Sequence, residues 1–220
     1  MGSNPTSSAV LFISSFSQMK TYNFQLFQEA VRFAHEKHLD QTRKQSNIPY
    51  LVHPLRVACR LLELGYSFKV AIAAILHDTL EDTQTTTEEI EELFTAEVKD
   101  MVVQLSEEEH PLPRKASWKI RKQATLNKAL NLNPDCLAIL CADKLDNLES
   151  SARQVRLFGH EALFQGMNAD YQQQRWYYFN LLRIFLDRNQ EFQSQILIAD
   201  FKLAFETVFP PEPKSDFPVY

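Results

Sequence analysis

Apolar residues recur at three- and four-residue intervals along much of the chain, which is the spacing of amphipathic helices. This spacing predicts a first helix over residues 22–39. A second helix is predicted over residues 54–64, with His53 as its cap because a proline follows at the first helical position. Residues 68–78 form a third predicted helix, which Ser67 can cap. Since this third segment is apolar on every side, we expect it to be buried.

Later segments repeat the helical pattern. Thr86 and Glu89 form a capping box for a helix that ends near Phe94. Asn133 and Pro134 form a further start signal, for a helix whose apolar first part is followed by the polar residues 143–147. We place the remaining helices at 98–105, 168–186 and 189–208. The pattern therefore predicts an all-α protein.

The composition is that of an ordinary globular protein. The chain has 220 residues, of which 45% are hydrophobic and 23% charged, and four glycines, too few for a turn-rich β-protein. We expect a single helical domain over residues 21–208, preceded by an extension over 1–20 and followed by a tail over 209–220 that frays. Residues 1–3 are typical of a cloning remnant, with Met19 as an internal start.

Charge and cysteine content indicate the cellular setting. A net charge of −5 gives no general attraction for nucleic acid polymers. The apolar run over residues 9–16 is too short to cross a bilayer. Three cysteines in apolar stretches are expected to be reduced core thiols: Cys59, Cys136 and Cys141. The sequence predicts a cytoplasmic protein without a membrane partner and leaves its oligomeric state open.

A basic segment lies between His110 and Pro134. It contains six basic residues and no acidic one: Arg114, Lys115, Lys119, Arg121, Lys122 and Lys128. Such a segment is a candidate phosphate-binding surface, and the alternative is a helix face that water solvates.

Ionisable side chains cluster where the third predicted helix ends. It ends in His77 and Asp78, and Glu81 and Asp82 follow four residues after them, one helical turn away. Several such groups at the end of a buried helix are costly unless they bind a cation. Imidazole together with carboxylate suits Mn²⁺, Fe²⁺ or Zn²⁺ better than Ca²⁺. The cluster therefore predicts a transition-metal site.

Two further ligands are predicted from other segments. His53 lies in the segment 49–54, PYLVHP, at a helix start, and Asp143 directly follows an apolar helical segment. Taken alone, either residue would more often be a hydrogen-bonded core group. Other candidates are expected to be structural: His35 and His38 are one residue too close for a zinc-protease HExxH motif, and the aromatic segment 176–179 is expected in the core.

In their order along the chain, these segments resemble the hydrolase domain of the RelA/SpoT alarmone family, a group of HD-domain phosphohydrolases. The matching segments are 41–44 (QTRK), 49–54 (PYLVHP), 74–83 (AILHDTLEDT) and 142–148 (ADKLDNL). The resemblance implies an orthogonal helical bundle of the HD-domain type. It also implies a stand-alone small hydrolase, since the chain is too short for the synthetase and regulatory domains of long family members.

The resemblance implies roles for individual residues. Four of them would hold the metal ion, with Mn²⁺ as the implied ion and other divalent transition metals as alternatives: His53, His77, Asp78 and Asp143. Three would have a catalytic role: Glu81, Asp82 and Asn147. Three would bind substrate, the first two on a loop that contacts the purine: Arg43, Lys44 and Asn147.

The implied substrate is the alarmone of the stringent response, guanosine 3′,5′-bis(diphosphate) (ppGpp), or its pentaphosphate. Cleavage at the 3′ position would release pyrophosphate. The sequence departs from the family pattern where recognition of the base and the phosphates would be affected. The departures are a longer loop between Lys44 and Pro49, Thr95 in place of a glycine, an acidic run over 107–109 where lysine is common, and Glu149 in place of an arginine.

These departures leave two alternatives open. The first is an HD phosphohydrolase of another nucleotide, such as an adenine alarmone, NADPH or a nucleoside monophosphate. The second is a non-catalytic nucleotide sensor, which would be expected to lose metal ligands or the pair Glu81 and Asp82, all of which are present.

Overall fold

The computed structural model describes residues 23–43, 47–107, 111–164 and 167–210. These ranges are predominantly α-helical, and their only β feature is an isolated bridge between Thr42 and Pro49. The all-α prediction is confirmed. Lys44 lies outside the described residues, as do the predicted N-terminal extension and almost all of the predicted tail.

The chain divides into two compact units, Met1–Ser106 and Glu107–Tyr220. The described part of the first unit contains the helices α1 (23–37), α2 (Val52–Glu63), α3 (Phe68–Leu76), α4 (Thr79–Asp82), α5 (Thr87–Leu93) and α6 (Ala96–Leu105). The described part of the second contains α7 (Trp118–Ala129), α8 (Pro134–Phe158), α9 (His160–Phe164), α10 (Tyr171–Asp187), a 3₁₀ turn at Asn189–Glu191, and α11 (Ile196–Val208).

Helix α3 is the buried centre of the first unit. Every residue from Val70 to Leu76 is buried, and α2 and α6 pack against the helix. Ser67 caps its start by accepting a hydrogen bond from the backbone N–H of Val70. Burial of apolar side chains on every side of the helix is the main contribution that stabilises its position. It therefore also fixes the position of His77 and Asp78, which follow the last turn. The predicted cap and burial are both confirmed.

Helix α8 is the corresponding buried helix of the second unit. It begins at the predicted cap, where the Asn133 side chain accepts from the backbone N–H of Cys136 and Pro134 takes the first position. The expectation that its polar residues 143–147 lie at the helix end is wrong, because the helix runs on to Phe158 and ends at Gly159 with φ of 84°. Buried apolar residues continue the helical spacing at Leu148 and Ala152, and they extend the helix.

Other boundaries differ more modestly. The expectation that His53 caps α2 is wrong: Leu51 is the cap, and His53 is the second helical residue. Pro54 is tolerated there because first-turn N–H groups have no helical acceptor. Helices α7 and α9 lie outside the predicted helical segments, and the predicted helix over 189–208 is split, with α11 beginning only at Ile196.

Cysteine burial is only partly as expected. Cys136 and Cys141 are buried, but Cys59 is exposed on α2, so the prediction of a core thiol is wrong there. Burial raises the pKa of the Cys136 thiol to about 11. Among the described residues, no helix has both the length and the apolar character that a membrane span requires.

Candidate functional site

His77 occupies the position directly after α3, and the end of that buried helix sets its orientation. The imidazole is buried, and its Nδ1 lies 2.8 Å from the carbonyl oxygen of Ala74. Because a carbonyl oxygen only accepts hydrogen bonds, Nδ1 carries the hydrogen. Nε2 is then the nitrogen with the lone pair, as a metal-ligating imidazole requires.

Asp78 lies beside two buried histidines of the first unit, His53 and His77. Its Oδ2 lies 3.0 Å from Nε2 of His77 and 3.7 Å from Nε2 of His53. Ligand atoms of the two imidazoles lie within 4.8 Å of each other, and both rings are buried. A carboxylate oxygen and a lone-pair nitrogen at 3.0 Å repel each other unless a proton or a metal ion lies between them. This donor set, two imidazoles and one carboxylate, fits a divalent transition metal.

Tyr50 is a polar neighbour of this group and belongs to the PYLVHP segment, whose pattern predicted no role for it. Its hydroxyl donates a hydrogen bond to Asp78 Oδ2, the oxygen that faces both imidazoles. Hydrogen bonds of this kind fix the orientation of a metal-binding carboxylate. The sequence signal was a tyrosine three residues before the HP pair, but only the fold shows which atom its hydroxyl contacts.

Glu81 and Asp82 lie on α4, the short helix that Asp78 begins. The backbone N–H of Asp82 donates to the carbonyl of Asp78 at 3.0 Å, so the two acids follow His77 and Asp78 by one turn. Both side chains are partly exposed. Gln41 donates from its side-chain amide to the Asp82 carbonyl at 2.7 Å. Hydrogen bonds with Asp78 and with Gln41 thus both restrain the turn that carries the two carboxyl groups. The turn lies next to His77 and Asp78, and its acids are accessible to solvent.

Asp143 lies in the second unit, in the middle of α8. It is buried, and the Asn147 amide donates to its Oδ1 at 2.8 Å while Lys144 Nζ lies 2.6 Å from its Oδ2. Burial alone would lower the pKa of the Lys144 ammonium, but the charge of Asp143 raises it well above its usual value. Asn147 and Lys144 thus both contact the Asp143 carboxylate, and Asn147 lies one turn further along the helix.

Arg43 lies on the loop that follows α1. Its backbone N–H donates to Ile48 at 2.9 Å, and Tyr50 donates in the same way to the carbonyl of Gln41 at 2.9 Å. These bonds close the base of the loop. The backbone of Arg43 is therefore anchored near that of Tyr50. Lys44, the other basic residue predicted to bind substrate from this loop, lies outside the described residues.

Two residues of the basic segment are engaged within the protein. Arg121 and Lys122 on α7 both contact the carboxylate of Glu107, Lys122 at 2.6 Å. Burial by itself raises the pKa of that carboxyl, but Lys122, Lys144 and Arg121 outweigh it and lower the pKa to about 2. Burial also lowers the pKa of Lys122, as does the charge of Lys144. These two cations therefore belong to a partly buried ion cluster, not to a solvated face.

The histidines and aromatics expected to be structural behave largely as such. His35 is exposed on α1, and His38 is buried at its end. In the aromatic segment 176–179, Tyr177 is fully buried, but Phe179 is 44% exposed and does not belong to the core.

Comparison with known proteins assigns the chain to a family. A family model described as HD domain matches residues 30–162, which is more than half of the chain. The chain belongs to the HD domain family. The match includes His53, His77, Asp78 and Asp143.

Curated relatives of this HD domain chain carry names of alarmone enzymes. MESH1 of Homo sapiens, named guanosine-3′,5′-bis(diphosphate) 3′-pyrophosphohydrolase, is 39% identical over 129 residues, which cover 57% of this chain and 69% of MESH1. A protein of Aquifex aeolicus with the same enzyme name is 40% identical over 126 residues, which cover 56% of this chain and 17% of that protein. The chain therefore spans less than a fifth of this bacterial relative.

Solved structures resemble the fold over a larger part of the chain. One, described as a metazoan ortholog of SpoT that hydrolyzes ppGpp, has a TM-score of 0.64 at 22% identity and covers 93% of this chain and 97% of its own. A protein of Listeria monocytogenes EGD-e has a TM-score of 0.61 at 28% identity, covering 72% of this chain and 99% of its own. The HD-type helical fold expected from the sequence is confirmed.

Proposed function

We propose that this protein hydrolyses ppGpp, and its pentaphosphate, at the 3′ position with the release of pyrophosphate. The observation that carries the proposal is the convergence of the two buried imidazoles with Asp78, directly before two accessible acids on α4. Relatives named for this reaction, human MESH1 among them, support the choice of substrate. A cytoplasmic role in the stringent response is part of the same proposal.

The proposed metal ligands are His53, His77 and Asp78 of the first unit and Asp143 of the second, with Mn²⁺ as the proposed ion. Two imidazoles and two carboxylates suit this class of metal. When bound, the ion would withdraw charge from the phosphorus and make a neighbouring water more acidic. The hydrogen bonds to Asp78 from Tyr50 and to Asp143 from Asn147 would hold the carboxylates in the ligating orientation.

The proton transfers are proposed for Glu81 and Asp82. Hydrolysis breaks the bond between the ribose 3′ oxygen and phosphorus, joins the hydroxyl of water to phosphorus, and delivers a proton to the 3′ oxygen. Guanosine diphosphate and pyrophosphate leave as products, or guanosine triphosphate and pyrophosphate from the pentaphosphate. A carboxylate that removes a proton from water can return it to the leaving oxygen. Glu81 and Asp82 are partly exposed and one turn from the ligands, which suits this task.

Substrate contacts are proposed for Arg43, Lys44 and Asn147. The planar guanidinium of Arg43 can stack on a purine, and its anchored backbone limits the entropy lost when it does so. The Asn147 amide offers a donor beside the Asp143 carboxylate. In the proposed scheme it contacts the ribose or the phosphate nearest to the scissile bond.

The proposal is tested by steady-state assays of the Mn²⁺-loaded protein on a nucleotide panel: ppGpp, its adenine counterpart, NADPH and a nucleoside monophosphate. We expect the largest kcat/KM for ppGpp, with pyrophosphate as a product. Selective turnover of another panel member would show that ppGpp is not the preferred substrate, while the assignment as a phosphohydrolase would stand. Nucleotide binding without turnover of any member would indicate the sensor and contradict the proposed activity.

A further inference from the structure

Gln41, which follows α1, holds the end of α4 through its side chain. Its amide nitrogen donates to the backbone carbonyl of Asp82 at 2.7 Å. That carbonyl belongs to the last residue of a one-turn helix, so no following helical turn provides it with a donor. The amide of Gln41 therefore restrains the segment that carries Glu81 and Asp82, although it touches neither carboxyl group in this bond.

His38 determines which way the Gln41 amide faces. Its Nδ1 lies 2.9 Å from Gln41 Oε1. Because the Asp82 carbonyl only accepts, the amide nitrogen must face Asp82 and Oε1 must face His38. The oxygen accepts as well, so Nδ1 of His38 carries the hydrogen. His38 is 3% exposed, and this buried donor prevents the amide from turning its oxygen toward the Asp82 carbonyl.

Tyr50 connects the same cluster to the metal-binding carboxylate. Its ring packs on that of His38, with centroids 4.8 Å apart, and its hydroxyl donates to Asp78. Its backbone N–H donates to the carbonyl of Gln41 at 2.9 Å. The base of the loop that carries Arg43 is thereby bonded to Asp78 through the Tyr50 side chain and to Asp82 through the Gln41 side chain.

We propose that His38, Gln41 and Tyr50 are positioning residues with separate tasks. Tyr50 orients Asp78 for the metal ion, while Gln41, held by His38, positions Glu81 and Asp82 for proton transfer. The inference rests on the proposed hydrolase function, but its metal-binding half can be measured without any turnover. Two isosteric substitutions separate the tasks: Tyr50→Phe removes only the hydroxyl, and Gln41→Met removes the amide while keeping the side-chain length.

Titration calorimetry with Mn²⁺ and steady-state kinetics on ppGpp measure the two tasks. Losing an outer partner of a metal site costs about 10- to 100-fold in metal affinity or activity. Tyr50→Phe should raise the Kd for Mn²⁺ about 10-fold and regain most of the wild-type kcat at saturating Mn²⁺. Gln41→Met should leave that Kd within about twofold and lower kcat about 10-fold at saturating metal, with a smaller change in KM.

A pair of substitutions at His38 tests the amide orientation. In His38→Asn, the side-chain nitrogen can replace Nδ1 as the donor to Gln41, so kcat should stay close to that of the wild type. His38→Leu has no donor and should lower kcat as Gln41→Met does, with little change in the Kd for Mn²⁺. Rescue by asparagine separates positioning from simple packing, which both substitutions disturb.

Matched controls are Tyr171→Phe and Gln172→Met on α10, which should leave both the Kd and kcat unchanged. The inference is overturned if Tyr50→Phe and Gln41→Met each raise the Kd and lower kcat in parallel with a loss of thermal stability, or if both variants match the wild type. It is also overturned if His38→Asn and His38→Leu are equally impaired. Failure of the proposed function is a different result: wild-type protein that binds Mn²⁺ but does not turn over ppGpp.

Discussion

At the scale of single residues, the site depends on how each ionisable group is held. His77 owes its available Nε2 to a backbone carbonyl at the end of α3, and Asp78 owes its orientation to Tyr50. Contacts of this kind orient the donor atoms of metal-binding side chains. Single substitutions should therefore separate metal binding from folding.

Removing one proposed ligand should abolish the metal site. For His53→Ala and Asp143→Ala we expect loss of bound Mn²⁺ and of activity, with helical content largely retained, because each change deletes one donor atom. Elemental analysis and far-UV circular dichroism measure the two properties. His35→Ala, an exposed histidine on α1, serves as the control. Full metal occupancy in both ligand variants would exclude these residues as essential ligands.

The acids on α4 should affect turnover without affecting the metal. Glu81→Gln should retain Mn²⁺ and bind nucleotide but turn over roughly 10²-fold more slowly or worse, because an amide cannot transfer the proton. Asp82→Asn should behave similarly. Unchanged kcat in both variants would assign proton transfer to another group.

Arg43 should contribute to binding more than to chemistry. Stacking on the purine is similar in the ground and transition states, so Arg43→Ala should raise KM for ppGpp more than it lowers kcat. A desolvated cation–π contact is worth about 2 kcal/mol, which is roughly 30-fold in affinity. Lys44→Ala should have a milder effect. A change confined to kcat would argue against a contact with the base.

At the scale of elements, α7 and α8 are joined by a charge cluster that the sequence shows only as a basic segment. Glu107 lies against Lys122 and Arg121 of α7, and Lys144 of α8 lowers its pKa as well. Glu107, the first residue of the acidic run over 107–109, thus has a structural use here. It places a negative charge beside cations that are themselves largely buried.

This cluster makes stability depend on pH. The carboxyl of Glu107 has a pKa of about 2 in the folded protein against a usual 4.5. A lowered acid pKa stabilises the folded state fully above about pH 4.5, and this contribution is lost as the pH falls toward 2. It amounts to roughly 3 kcal/mol at neutral pH.

Glu107→Gln should therefore be less stable than the wild type at pH 7, and the difference should shrink below about pH 4.5. Urea unfolding across this range measures the difference. Glu92→Gln, an exposed acid on α5, should match the wild type throughout. A difference that does not change with pH would contradict an ionic origin.

Elements whose signal is local were predictable from the sequence. The capping box at Thr86 and the helix start at Asn133 depend on neighbouring residues only. The burial of α3 was predictable because the helix is apolar on every side. Where an element ends depends on packing partners that the local pattern does not contain. Helix α8 continues past Asn147 because its later turns still have buried positions at Leu148 and Ala152.

At the scale of the whole molecule, the proposed metal ligands could be predicted because the segments that carry them resemble a known family in order and local sequence, and the HD domain match covers all four. The residues that support these ligands could not be predicted. Tyr50, Gln41 and His38 lie within or beside the same motifs, but a sequence does not show that a hydroxyl meets Asp78 or that an amide meets the Asp82 carbonyl. Such contacts arise from the packing of α1 and its loop, not from a residue pattern.

The overall charge is consistent with a small anionic substrate and a local site. With a net charge of −5, the protein as a whole repels polyanions, so the proposed binding of a phosphate-bearing substrate has to rely on local groups such as the metal ion. The proposed reaction is metal-dependent addition of water to the phosphorus attached at the 3′ oxygen.

Hydrolysis of ppGpp in ¹⁸O-labelled water shows which atom the water attacks. Protein stripped of metal and reloaded with Mn²⁺ should produce guanosine diphosphate and pyrophosphate, with the label in pyrophosphate alone, because water attacks phosphorus and the 3′ oxygen stays with the ribose. The stripped protein should be inactive until Mn²⁺ is restored. Label in the nucleotide product, or equal turnover before and after metal removal, would contradict the account.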